Sequence, residues 1–469
     1  MIIDYLQLIA GVGLIWGRGY MLIYLVDRSK SFSFGFKFFT GWLAGIAGFT
    51  LDVFAFNVFN GFALAPWVFV VAALMQIFGF GFLVLLFERR VPWPDPRRLM
   101  PFIKRQLTNL SQWSLLEKAA MLTFLLLLIV RVGMAVWTVS TIPTYEFDAW
   151  NSWNLKAKVI YTEQTIPLQE NGPFYLGGGI TSYPLHDAMF KVWLATAAGE
   201  YQDRYVNLAS VIYYLFLIAI FYFSLPAKMH RLIKIVATYA LSSLPLLVIH
   251  SHVAYADLLF SIYLYIAVIA LFYYIAGAGN SFFYLSGMGL AFSIWTKNEG
   301  LTIIFPLMVV TTLLLLIARR VKLKDFLLGW FFAALTVLPW LGFRVMRRLD
   351  IFSGDSSTVD LVLNNQFIGE MWSSIFLRSH FNILWLIVAA VIILRFSDLW
   401  KSISLRYLMI TLIALFAMYN GVVLFTDKAL DLSALARINL QLAPLAVALL
   451  AFFFQRFFDT MSTHGQRQT

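Results

Sequence analysis

Residues 119–153 read AAMLTFLLLLIVRVGMAVWTVSTIPTYEFDAWNSW. The first part, 119–139, is almost continuously apolar and matches the roughly 20 residues that a helix needs to cross a bilayer. Lipid offers the backbone no hydrogen-bond partners, and a barrel would need short alternating strands, so a run such as 121–130 must be helical. Just beyond it stand Glu146 and Asp148, with Trp150 and Trp153 beside them. A carboxylate pair therefore sits where a long apolar helix leaves the membrane, next to two indoles able to stack on a sugar ring.

Comparable runs recur along the whole chain, at 5–26, 38–59, 62–87, 206–225, 232–249, 258–277, 282–295, 301–318, 326–343, 381–394, 407–425 and 438–457. The fold class expected is an all-α polytopic integral membrane protein of about 13 spans with extracytoplasmic loops and juxtamembrane helices. The eighth and eleventh runs are short enough to be half-helices. Of the 469 residues 61% are hydrophobic and 13% charged, a balance that fits no soluble domain. Without cysteine, disulfides and thiolate metal sites are excluded. The run at 5–26 follows Asp4 and lacks a basic leader, so it is expected to stay as a membrane helix.

The net charge of +11 is scattered through short loops, which argues against nucleic acid as a partner and for membrane orientation. Alternate loops are basic: Arg28, Lys30 and Lys37; Arg89, Arg90, Arg97, Arg98, Lys104 and Arg105; Lys228, Arg231 and Lys234; Arg319, Arg320, Lys322 and Lys324; Arg395 and Lys401. The positive-inside rule makes these cytoplasmic, with the N-terminus outside and the C-terminus inside. The long segments 140–207 and 344–380 then face outward, which places Asn171 and Asp355 on the extracytoplasmic side. Pro92, Pro94, Pro96 and Pro101 break a basic, Trp-containing stretch that reads as an interfacial linker. It divides a three-helix unit, 1–116, from a membrane module, 117–457, followed by a cytoplasmic tail, 458–469. A bacterial inner membrane suits the short loops.

The outward loop continues after Trp153 as Asn154-Leu155-Lys156-Ala157-Lys158 and later gives Ser182-Tyr183-Pro184-Leu185-His186. Further along come Tyr255-Ala256-Asp257-Leu258, Gly289-Leu290-Ala291 with Thr296-Lys297-Asn298-Glu299-Gly300, Pro339-Trp340 before Arg344, and Arg437 before Pro444. In order and sidedness this set resembles the GT-C superfamily of polyprenyl-phosphate-sugar-dependent glycosyltransferases, which includes protein O-mannosyltransferases and the lipid A aminoarabinose transferase. The resemblance covers about residues 117–457. It implies a catalytic carboxylate in the first large outer loop, matched by Asp148 with Glu146 as neighbour, a second acidic position at Asp257, and inversion at the anomeric carbon. Family members place the acidic loop after the first span, whereas here it follows the fourth.

The same chemistry can be assembled from the residues. Transfer from a polyprenyl phosphate needs a base for the acceptor hydroxyl and cations for the departing phosphate. Asp148 is the expected base, with Glu146 as neighbour or alternate, and Lys297, Arg344, Arg347 and Arg437 are the phosphate candidates. Asp257, Trp150, Trp153, Lys156, Tyr183 and His186 complete the expected substrate contacts. The partners implied are a polyprenyl-phosphate-linked sugar donor, a glycan, lipid or protein acceptor, and membrane lipids. No cofactor is required, and nothing in the pattern supports a divalent cation.

Plainer readings compete. Asp257 can cap a helix, the tryptophans can anchor the membrane interface, and the arginines 344, 347 and 348 can hold headgroups. His250 and His252 lack a firm third ligand for a metal. Arg18 and Asp52 look like a structural pair between the first two spans, while Arg131 is expected to face the catalytic bundle. A transporter or flippase of lipid-linked saccharides is the alternative function, since charged cavities suit it equally.

Overall fold

The computed structural model describes residues 2–88, 111–350, 360–426 and 433–465, and these are helices joined by turns and loops, with one isolated bridge between Leu361 and Thr426. In chain order the principal helices are α1 (Ile2–Val26), α2 (Phe34–Asn60), α3 (Pro66–Glu88), α4 (Leu115–Thr141), α5 (Asn154–Glu163), α6 (His186–Ala198), α7 (Leu208–Ser224) and α8 (Arg231–Ser242). They continue as α9 (Pro245–His250), α10 (Asp257–Ile275), α11 (Asn280–Thr296), α12 (Phe305–Ile317), α13 (Leu323–Met346), α14 (Leu384–Leu394), α15 (Ile403–Phe425) and α16 (Ser433–Gly465). The protein is a polytopic helical membrane protein: among the described residues nine helical segments, on α2, α3, α4, α7, α10, α12, α13, α15 and α16, are long and apolar enough to cross a bilayer. The basic linker with its four prolines, and Asp355, lie outside the described residues.

Local chemistry sets the boundaries. Ser114 and Glu117 form a capping box at the start of α4, and α2 runs from a Ser33 cap to Gly61 in the left-handed region, φ 70°. The apolar run at 232–249 is not one continuous helix. Pro245 stands at the first turn of α9 and pushes Leu244 into an extended conformation, so the run divides into helices of 12 and 6 residues. At 1.5 Å per residue neither piece reaches across the hydrocarbon core.

Where α1 crosses α2 the backbones nearly touch. A Cβ on Gly19 would lie 1.9 Å from the Gly41 carbonyl oxygen, and one on Gly45 would lie 2.3 Å from that of Ile15. Small residues of this kind drive helix association where lipid removes the hydrophobic incentive. Beside the crossing, Arg18 meets Asp52 at 2.7 Å, the pair expected from sequence. The first three helices pack into the rest of the bundle: Tyr263 donates to the Leu43 carbonyl, Trp295 to the Thr50 hydroxyl, and Phe54 lies against Trp295 and Trp340.

The loops collect at two ends. At one, Ser29 bonds Ser281, Ser33 bonds the Phe223 carbonyl, the His230 amide bonds Gln455, and Arg395 lies over Phe457. This is the end of the basic loops. At the other, the Asn57 side chain bonds Phe62, Thr165 and Ile166, the Leu246 amide bonds the His380 carbonyl, and Asp148 meets Arg437. Every acidic and cationic residue singled out for chemistry lies at this second end.

Candidate functional site

Asp148 is held by a braced loop. The Thr144 amide donates to Asp203, and Asn154 Nδ2 donates to both Thr144 and Asn207, so the chain leaving α4 is tied to the start of α7. Directly after Asp148, residues Ala149–Trp153 form a wide π-helical turn, in which the Asn154 amide reaches back five residues to the Ala149 carbonyl. Such turns arise where a helix accommodates an extra residue, frequently at functional sites. Asp148 Oδ2 accepts from Arg437 Nη1 at 2.6 Å, a contact across 289 residues, while Oδ1 makes no hydrogen bond among the described residues. The two side chains are 34% and 19% exposed, so the pair stands at the mouth of the bundle. The Arg437 guanidinium also lies over the Tyr255 ring, 4.8 Å from its centroid.

Behind this pair lies a buried charge cluster. Lys297, released by the end of α11, donates to Asp257 Oδ1 at 3.0 Å and to Glu299 Oε1 at 2.9 Å. Gln441 Nε2 donates to the same Asp257 oxygen at 2.8 Å, and Tyr419 donates to Gln441 Oε1 at 2.9 Å. Glu299, like Asp148, directly precedes a π-helical turn, here Gly300–Ile304 leading into α12. Arg437, Asn439 and Gln441 occupy alternate positions on the final helix, ahead of Pro444, which cannot donate to the Leu440 carbonyl four residues back. Gln441 and Tyr419 carry no charge to mark them within their apolar runs. A buried amide in an apolar span, four residues after Arg437, was the available signal.

A third segment closes over the cluster. Gly177, Gly178 and Gly179 all have positive φ, and a Cβ on Gly179 would lie 2.7 Å from both the Asn151 carbonyl oxygen and Ser152 Cα. Only glycine lets this strand of loop lie on the turn after Asp148. Tyr183 follows, packed at 5.3 Å on Trp153 and with its ring 5.7 Å from the Lys297 ammonium.

Several expected contacts have other roles. Lys156 is fully buried in α5 and donates to the carbonyls of Ile180 and Tyr183, so it fastens the glycine loop. Burial without a carboxylate partner lowers its pKa to about 7. His186 is also fully buried, with Nδ1 on Thr50, Nε2 on Tyr263 and its ring stacked on Trp295. It belongs to the core. Trp153 is 5% exposed and covered by Tyr183, which removes it as a stacking platform; Trp150, 51% exposed beside Phe147, remains accessible.

The cations differ as well. Arg344 is 5% exposed, and its hydrogen bonds go to neutral oxygens, Asn298 Oδ1 at 2.8 Å and the Leu349 and Asp350 carbonyls. Arg347 instead reaches out to Glu170 at 3.6 Å. Arg131 turns to Ser242 and the Tyr239 ring on α8, away from Asp148. Glu146 lines a small cleft with Thr144, Asn207 and His252, whereas Asp148 turns to Arg437. His250 lies edge-on to Tyr255 while His252 lines that cleft, and among the described residues no three His, Asp or Glu side chains gather as a metal site.

Comparison with protein-family models, with curated proteins and with solved structures yields no match for this chain.

Proposed function

We propose that this protein is an inverting glycosyltransferase that moves a sugar from a polyprenyl-phosphate donor to an acceptor hydroxyl. In this reading the chain has about 13 spans in a GT-C-like arrangement, with its active face extracytoplasmic and, in a bacterium, periplasmic. The observation that carries it is the pose of Asp148: one oxygen is fixed by Arg437 and the other has no hydrogen bond among the described residues, at the mouth of a membrane bundle with a charge cluster behind it.

Asp148 Oδ1 takes the proton as the acceptor oxygen bonds to the anomeric carbon. The bond from that carbon to the phosphate oxygen breaks on the opposite face, and polyprenyl phosphate leaves with its electron pair. Arg437 positions the base and offers charge at the mouth, and Arg344, bonded to neutral oxygens, supplies a guanidinium for the phosphate. Lys297 already serves two carboxylates, so its part is to order Asp257 and Glu299. Trp150 offers an exposed indole to the sugar or to the lipid interface.

The test is Asp148→Asn in purified protein supplied with a polyprenyl-phosphate sugar. Loss of a positioned general base lowers transfer by about a hundredfold or more, and Glu146→Gln lowers it less. Near-normal turnover in Asp148→Asn would sink the base assignment. A wild-type protein that carries the donor across vesicle membranes without consuming it would replace this reading with a flippase.

A further inference from the structure

Two buried polar atoms beside the charge cluster have no hydrogen-bond partner among the described residues: Nδ1 of His250 and Oε2 of Glu299. His250 ends α9 and is 3% exposed; Glu299 begins the turn into α12, its side chain 18% exposed. They come from separate elements yet border the same groups. Glu299 Oε1 holds Lys297, and His250 lies within the fields of Asp257, Arg437 and Lys297, edge-on to the Tyr255 ring that supports Arg437. Buried polar atoms in proteins are paired as a rule, so two that are left open beside one charge cluster call for a partner.

We infer that His250 Nδ1 and Glu299 Oε2 form a subsite for hydroxyl groups of the transferred sugar, so that they read the carbohydrate end of the donor. This deepens the glycosyltransferase reading and rests on it. The choice of hydroxyl over phosphate follows from the chemistry of the two atoms. Burial holds the His250 imidazole down to about 4, so at neutral pH it carries no charge to offer an anion. A carboxylate oxygen only accepts, and it repels phosphate. Hydroxyls suit each of them: one donates to Glu299, and one donates to or accepts from the imidazole. The loop from His250 to Asp257 is braced, because Lys191 donates to the Ala254 carbonyl and Ser210 to that of Val253, while Glu299 is held by Lys297. Two atoms held in this way discriminate sugars by their hydroxyl pattern, since a missing hydroxyl leaves a buried protein atom unpaired.

The experiment compares binding of a short-chain polyprenyl phosphate, bare and carrying a hexose or a pentose, to purified full-length protein in detergent. His250→Asn keeps a polar atom at the position of Nδ1, His250→Gln moves it to that of Nε2, and His250→Phe removes it while keeping the ring on Tyr255. The expected result is a loss of about tenfold in affinity for the preferred sugar-bearing lipid in His250→Phe and His250→Gln, with His250→Asn close to wild type and the bare lipid unaffected throughout. Glu299→Gln is expected to change which sugar is preferred. If His250→Phe and His250→Gln keep wild-type melting and the wild-type ratio of sugar-bearing to bare affinity, the subsite is refuted. It is equally refuted if bare-lipid binding falls in parallel, for the nitrogen then contacts phosphate. A wild-type protein that binds neither lipid removes the glycosyltransferase reading and the subsite together, an outcome distinct from the other two.

Discussion

Replacing Lys297 by Met removes the one ammonium that two carboxylates share. Asp257 and Glu299 both approach its nitrogen within 3.0 Å, and their side chains are 2% and 18% exposed. Without it they face each other at roughly 5–6 Å, where like charges repel by about 3 kcal/mol at an effective dielectric near 20. Breaking a buried pair by deleting one partner costs about 3–5 kcal/mol in general, and proton uptake by one carboxylate limits the penalty at pH 7 to about 4 kcal/mol. Lys297→Met should therefore lose about 3–4 kcal/mol, a large part of a typical folding free energy. Asp257→Asn leaves the ammonium its bond to Glu299 and should lose less, about 1–2 kcal/mol. Adding Glu299→Gln to Lys297→Met should recover more than half of the loss. Equilibrium unfolding in mixed detergent micelles measures all three. Should Lys297→Met fall within about 1 kcal/mol of wild type, or prove milder than Asp257→Asn, the shared-ammonium account is wrong.

Gly45→Leu should break the contact between α1 and α2, because even a Cβ there lies 2.3 Å from a backbone oxygen; a monodisperse protein of wild-type stability would contradict that packing. Single cysteines at Asn171 and Lys322 in the Cys-free chain should react with an impermeant reagent from opposite sides of the membrane, Asn171 from outside; labelling of Lys322 alone in intact cells would invert the proposed orientation. Lys156 should give stability a pH slope. Its folded pKa, about 7, is below its ordinary value of 10.5, so between those limits the unfolded chain holds the extra proton. Stability then rises with pH by up to about 1.4 kcal/mol per unit and no longer changes below pH 7. Lys156→Met should lose that slope between pH 7 and 9; an unchanged slope would place its origin elsewhere.

The membrane class was legible because lipid imposes one rule on backbone polar groups, and residues 119–139 can obey it only as a helix. The break at Pro245 was also there to be read, yet apolar composition on both sides masked it. Pairings across the chain were not legible. The sequence put Asp148 and Arg437 at one face, but their 2.6 Å contact depends on how α16 packs. Lys156 and His186 misled for a related reason: polar residues beside a motif can be the fastenings of its loop, and only burial tells a fastening from a ligand contact. Gln441 went unnoticed because an uncharged amide barely disturbs an apolar run, although one in a span needs a partner as much as a charge does.

The turns after Asp148 and Glu299 have a consequence for chain length. A π-helical turn is an α-helix with one residue too many, kept because the surplus aims a side chain that regular geometry would direct elsewhere. Deleting a residue within Ala149–Trp153 would let the amides bond four residues back and would rotate everything upstream by about 100°. Asp148 would then swing away from Arg437 while the helix gained regularity. Here a shortened chain is a tidier helix without its carboxylate in place, so the length of this segment, as much as the acid it carries, specifies the site.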